Sequence, residues 1–135
     1  MPEFAGFDHI DVRVRSLSAV EAFYDALMPL LGLPRKSYAL VEGDEWTDLA
    51  AGGNHNAIEY FEPFVAGRTA RFIGFIEDPE HHPPATRIAF REAGPFDGKA
   101  WLERLHALGA RVVEPSADLD SYPAVLLEKT ARTKL

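Results

Sequence analysis

A polar-faced strand, an amphipathic helix and a helix-ending glycine occur twice in this 135-residue chain, at nearly the same spacing. That duplication limits the fold more than any single motif does. In the first copy, residues 7–14 alternate strictly. Ile10, Val12 and Val14 point to one side, and His9, Asp11 and Arg13 to the other, which predicts a half-buried strand with a polar second face. Ser18-Ala19-Val20-Glu21 has the spacing of a capping box, and Val20, Phe23, Tyr24, Leu27, Leu30 and Leu31 recur at helical intervals. Gly32 stops that helix, with Pro34 two residues on; Pro29, inside the pattern, should kink or tighten the last turn. In the second copy residues 87–91 alternate, and Trp101, Leu102, Leu105 and Leu108 follow at helical spacing before Gly109. Aligning the two glycines brings His9 within one residue of Arg87.

Between and after these units the chain reads as short strands. Residues 35–41, 46–51 and 57–62 are predicted strands, separated by Glu42-Gly43-Asp44 and by the turn cluster Gly52-Gly53-Asn54-His55-Asn56. Residues 64–84 are ambiguous: 71–77 fits a strand, whereas 78–84, with three prolines, reads as a linker. Residues 111–114 and 124–128 read as strands around a polar loop, and 133–135 as the start of another. The expected order is β-α-β-β-β, linker, β-α-β-β-(β): module one at about residues 5–63, linker 64–84, module two 85–135.

Composition excludes several classes. Apolar residues are 47% and charged residues 26%, a globular balance that argues against long disorder. With no cysteine, disulfides, thiolate zinc sites and a cysteine nucleophile are ruled out, and a reducing compartment fits. A net charge of −7 argues against nucleic-acid binding, which needs a cationic stripe. Lys129, Arg132 and Lys134 cluster, but read as a solvated terminal hairpin. No apolar run approaches the ~20 residues of a membrane span. Met1-Pro2-Glu3-Phe4 opens nothing like a signal peptide, so a cytoplasmic protein is expected. There is no Gly-rich phosphate cradle, G-x-S-x-G elbow or H-E-x-x-H pair.

Phe7-Asp8-His9-Ile10-Asp11-Val12, Ala22-Phe23-Tyr24-Asp25-Ala26-Leu27 running to Leu31-Gly32, Thr86-Arg87-Ile88-Ala89-Phe90, Leu108-Gly109-Ala110 and Tyr122-Pro123-Ala124-Val125-Leu126-Leu127-Glu128 occur in that order over nearly the whole chain. Together they resemble the vicinal-oxygen-chelate (VOC) superfamily, which holds lactoylglutathione lyase, methylmalonyl-CoA epimerase, extradiol dioxygenases and the fosfomycin and bleomycin resistance proteins. The resemblance implies an α+β fold in which two βαβββ modules form a curved mixed sheet around a central cavity. It also implies a homodimer, in some relatives with modules exchanged between chains.

Metal-using members of that family take one ligand from the first strand and one from the last strand of each module. By resemblance, His9 holds the first position and Glu59 the second. The third, normally histidine, is Arg87, and the fourth would follow Leu135, where the sequence stops. A guanidinium offers no lone pair to a metal. It would also repel a dication by roughly 4 kcal/mol per unit charge at 4 Å in an effective dielectric near 20. A metal-free cavity is therefore expected, with Arg87 paired to Glu59 or binding a substrate anion. If a divalent metal does bind, His9 and Glu59 are its ligands.

Three functions follow as expectations. The first is binding of a small oxygen-rich or anionic organic molecule between the modules. In an enzyme of lyase, isomerase or dioxygenase type, His9 and Glu59 would be the acid–base residues and Arg87 would hold developing negative charge. The second is non-catalytic sequestration of a drug or metabolite, as in bleomycin resistance proteins; the third is metal-dependent catalysis. Trp46, Phe61 and Tyr122, with Tyr60, are candidates to line the pocket, or are plain core. His9 reads equally as a hydrogen-bonded cavity histidine. His81-His82 sits in the Pro-rich linker, His55 in an exposed turn and His106 on a helix surface, none of them ligands by this reading.

Overall fold

The computed structural model describes residues 1–84, 88–91, 94–95, 97–114 and 126–129. The chain is α+β: a five-stranded mixed, open sheet, a two-stranded sheet and two helices among the described residues. The order is β1 (His9–Val14), α1 (Leu17–Leu30), β2 (Arg35–Glu42), β3 (Glu45–Leu49), β4 (Ala57–Phe61), β5 (Phe72–Glu77), α2 (Gly98–Ala107), β6 (Ala110–Glu114) and β7 (Leu126–Lys129). The large sheet runs β1-β5-β4-β2-β3, with β1 parallel to β5 and every other pair antiparallel. β6 and β7 pair antiparallel in a sheet of their own. No described helix is long and apolar enough to cross a membrane.

The alternation read in the sequence sorts the sheet into two faces. Ile10, Val12 and Val14 lie on the face that α1 covers, and this face holds the main core of Leu17, Met28, Ile58, Tyr60, Ile73 and Phe75. Met28 and Ile58 are fully buried; truncating such a residue to alanine costs about 2–5 kcal/mol. On its other flank α1 presents Phe23 to Leu105 and Ala110, so α2 packs on the helix rather than on the sheet.

α1 begins earlier than the capping-box spacing predicts. Ser16, not Ser18, is the N-cap, its Oγ accepting from Ala19 N at 3.3 Å. Glu77 Oε1 at the end of β5 accepts Leu17 N at 2.9 Å, satisfying another first-turn donor. Glu21 is then free for other work. Its carboxylate meets Lys36 Nζ and accepts from Tyr38 OH at 2.9 Å; Lys36 also meets Asp25, at 2.8 Å, and Tyr60 OH donates to Asp25 at 2.8 Å. This network braces α1 to β2 and β4. Pro29 tightens the last turn as expected: Leu31 N is shared between Leu27 O and Met28 O, and Gly32 closes the helix at φ +93°.

Two sequence readings change. Residues 71–77, left open between strand and linker, supply β5, which lies between β1 and β4 inside the sheet. Residues 88–91, predicted to continue a strand from Arg87, have no strand conformation, and Ile88 and Phe90 stand exposed. Alternation makes a strand only where a partner edge receives it, and no described strand pairs there.

The β4–β5 connection is held from inside. Buried Glu62 accepts from Arg71 N at 2.7 Å and from the guanidinium groups of Arg71 and Arg68, each at 3.0 Å. Arg71's side chain and then its backbone N–H hold the Glu62 carboxyl down at about 2. A depressed carboxyl adds stability above its unfolded value, near 4.5, and loses it as pH falls toward 2. Glu62→Gln should therefore be less stable than wild type at pH 7 by urea denaturation, with the gap closing between pH 4.5 and 2. A gap that stays constant over that window contradicts this account.

Candidate functional site

The face of the sheet away from α1 carries the chemistry. Register places His9, Asp11 and Arg13 of β1 beside Phe72, Gly74 and Ile76 of β5, then Phe61, Glu59 and Ala57 of β4 and Arg35, Ser37 and Ala39 of β2. Asp48 of β3 sits opposite Ala39, and Trp46 opposite Val41, so both share this face at its far edge. At one end Ala39, Ala57 and Ile76 are buried, with Val41 against them.

Gly74 organises the middle of this face. A β-carbon there would lie 2.7 Å from Asp11 Oδ1 and 3.6 Å from Glu59 Cγ. The missing side chain is the space into which the Asp11 carboxylate leans, across β5 toward Glu59. A glycine inside an apolar strand marks such a close approach. Glu59 is 8% exposed. Burial first, then the nearby Asp48 and Asp11 carboxylates, push its carboxyl above the ordinary value; Ser37, whose hydroxyl reaches Oε1 at 3.4 Å, and His9 oppose the rise. His9 is shifted upward, chiefly by its hydrogen bond to Asp8, whose Oδ2 lies 2.8 Å from Nδ1. Its Nε2 is 3.9 Å from Asp11 Oδ2.

Beside this acidic row runs an aromatic one. The His9 ring stacks on Phe72 with centroids 4.7 Å apart and planes within 1°, Phe72 meets Phe61 at 4.8 Å, and the Arg35 guanidinium lies 5.4 Å from the Phe61 centroid. A partly buried cluster of stacked and tilted rings thus lies next to three carboxylates.

The structure brings His9, Glu59 and Phe61 onto one face, with Trp46 exposed at its edge. Tyr60 points the other way, into the core under α1. Arg87 and Tyr122 lie outside the described residues, and so does the expected Arg87–Glu59 pairing. His55 is not a free loop residue: it leans on Tyr38 at 4.4 Å and its Nδ1 accepts Gly53 N at 2.9 Å. His81 and His82 are met by Arg15, which donates to His81 O at 2.7 Å.

A metal centre fits the described residues poorly. Glu59 is not on the strand beside β1; β5 intervenes, and toward this face it offers only Phe72, Gly74 and Ile76, none of them a donor. Among the described residues no three His, Asp or Glu side chains converge as a metal would require. Sequence reasoning passed over Asp11, Ser37, Asp48, Phe72 and Gly74. The glycine within Phe72-Ile73-Gly74-Phe75-Ile76 was the available signal. No family model matches the chain, and no curated protein or solved structure matches it.

The Glu59 shift has a definite sign. A carboxyl raised by folding binds its proton more tightly in the native state, so it costs stability as pH rises above its unfolded value, near 4.5. Lowering pH from 7 toward 4.5 should stabilise wild type relative to Glu59→Gln in chemical denaturation. Parallel pH profiles of the two proteins would count against a buried, crowded Glu59.

Proposed function

We propose that this chain is a VOC-type domain whose polar sheet face binds a small organic molecule without a completed metal centre, and that it holds rather than transforms that molecule. The observation that carries the reading is the Asp11 carboxylate leaning over Gly74 toward buried Glu59, alongside the His9–Phe72–Phe61 stack. Crowded carboxylates accept hydrogen bonds and favour positive charge, and ring faces take up a flat apolar or cationic group. A part-aromatic, cationic ligand answers both features better than an oxygen-rich anion. The anion reading leans on Arg87; the described face supplies Arg35, already over the Phe61 ring, and Arg13, which meets Asp78 at 3.9 Å. Strand order supports the VOC assignment too: without edge strand β3, the sheet places the first strand parallel to the last, as one β-α-β-β-β unit with its helix on one face.

Acid–base catalysis is the second reading, favoured by one observation: Glu59, raised by burial and neighbouring carboxylates, and His9, raised by its hydrogen bond to Asp8, both hold a proton more tightly than usual and lie on the same face of the sheet. Under that reading a bound substrate is consumed.

A thermal-shift screen with cationic heteroaromatics, small carboxylates and phosphates, and Zn²⁺, Ni²⁺, Mn²⁺ and Fe²⁺ in separate arms tests this. Cationic aromatics should raise the melting temperature, Glu59→Gln and Asp11→Asn should each weaken their binding about tenfold (~1.4 kcal/mol), and mass spectrometry should return them unchanged. Product accumulation would establish the catalytic reading. Shifts by anions alone, lost in Arg87→Ala, would replace the cation reading with the anion one. A metal shift that His9→Ala removes would overturn the metal-free proposal.

A further inference from the structure

The polar face is built of rows that cross the strands, and each row has its own chemistry. Pairing sets Arg35 of β2 against Phe61 of β4, Phe61 against Phe72 of β5, and Phe72 against His9 of β1. Two rings thus lie between two basic side chains. The next row, two residues along, aligns Ser37, Glu59, Gly74 and Asp11. The basic groups of this face differ in what they meet. His9 is hydrogen-bonded to Asp8, and Arg13 meets Asp78 at 3.9 Å. Arg35 is exposed and has a carbonyl and a ring for partners: its Nε donates to Glu62 O at 3.0 Å, and its guanidinium lies 5.4 Å from the Phe61 centroid. Among the described residues it meets no carboxylate. Those two contacts hold the guanidinium in place and leave its two terminal nitrogens, the fork that fits a carboxylate, unspent among the described residues. Neighbouring charges do not cancel it. Glu62, whose carbonyl it grips, gives its carboxylate to Arg68 and Arg71. Lys36, next in sequence, turns to the other face and meets Glu21 and Asp25.

We infer that the molecule bound on this face is an aromatic zwitterion: its cationic end lies against Glu59 and Asp11, its ring beside Phe61 and Phe72, and its carboxylate on Arg35. The inference rests on the proposed cation-binding role of the face and names the further group that the ligand carries. Its size follows from the sheet. Glu59 is two residues from Phe61 on the same strand, a rise of about 7 Å, so the acidic row and the arginine-capped ring row are about one substituted aromatic ring apart. The charge pattern selects by rejection as well as by attraction. A plain anion reaches Arg35 only beside Glu59, Asp11 and Asp48, and a plain cation leaves the guanidinium fork unused. A molecule whose two charges sit at opposite ends of one ring satisfies both rows at once. Arg35 is then the residue that sets specificity, while the carboxylates supply the larger part of the attraction.

The test uses the intact chain and four probes measured by calorimetry or by amide shifts in NMR: N-methylpyridinium, its para-carboxylate, its ortho-carboxylate and benzoate. The para-carboxylate should bind about tenfold tighter than N-methylpyridinium. The ortho isomer, with its charges side by side, should gain nothing, and benzoate should bind more weakly than either cation. In Arg35→Gln the advantage of the para-carboxylate should vanish while N-methylpyridinium binds as before, which also shows that the variant is folded. In Glu59→Gln both should weaken together and their ratio should persist. Failure of every cation to bind would overturn this inference together with the cation-binding role of the face. Binding of N-methylpyridinium with no gain from the para-carboxylate would overturn the inference alone. So would an equal gain from the ortho isomer, benzoate binding as tightly as the zwitterion, or a gain that survives Arg35→Gln and is lost in Arg87→Ala.

Discussion

The parallel pairing of β1 with β5 joins chain segments about sixty residues apart, and most of what the molecule presents follows from it. Parallel neighbours need a crossover; here α1 and the strands β2, β3 and β4 supply it. Once β5 docks beside β1, Ile73 and Phe75 complete the apolar floor under α1 while Phe72 and Gly74 turn to the opposite face. One pairing therefore sets both the core and the surface chemistry. Moving β5 by a single residue would exchange the two sets, taking Ile73 and Phe75 out of the core and setting a side chain where Gly74 now makes room for Asp11.

On the polar face the central fact is crowding without a compensating cation among the described contacts of Glu59. Asp11, Glu59 and Asp48 occupy adjoining strands, and the buried member resists ionisation. Elsewhere the chain resolves comparable charge locally. Glu62 has two guanidinium partners, and Glu21 and Asp25 share the Lys36 ammonium and two phenols. The contrast separates carboxylates that hold the fold together from those left to meet something from outside. Burying a carboxylate in the company of others costs stability, and such groups cluster where binding or chemistry repays the cost.

Much of this was legible in the residues, and the failures have physical causes. Strict alternation in β1 and helical spacing in α1 placed both elements and the polar side of His9, because one-sided burial leaves a periodic trace. β5 left no such trace. Phe72, Ile73, Phe75 and Ile76 are apolar on both sides of the strand, so period two vanishes and only the glycine interrupts the run. The helix start was misplaced by two residues because Ser16 and Ser18 both suit a cap, and the choice depends on Glu77, sixty residues away. Asp11 was visible as a polar-face residue, yet its reach over Gly74 requires knowing that β5 is the neighbour. The Lys36 brace draws members from α1, β2 and β4, a grouping no linear pattern announces. Residues 88–91 alternate well and form no strand, a reminder that pattern states what a segment could bury and not what it pairs with.

Glu77 closes β5 and also satisfies the first turn of α1. A single carboxylate thus couples the end of a strand to the beginning of a helix. Fraying at either terminus strips the other of a hydrogen bond, so the two boundaries open as one cooperative unit rather than as independent ends. Slow breathing of the molecule is expected to concentrate away from that junction, in the edge hairpin of β2 and β3 and in the surface loops.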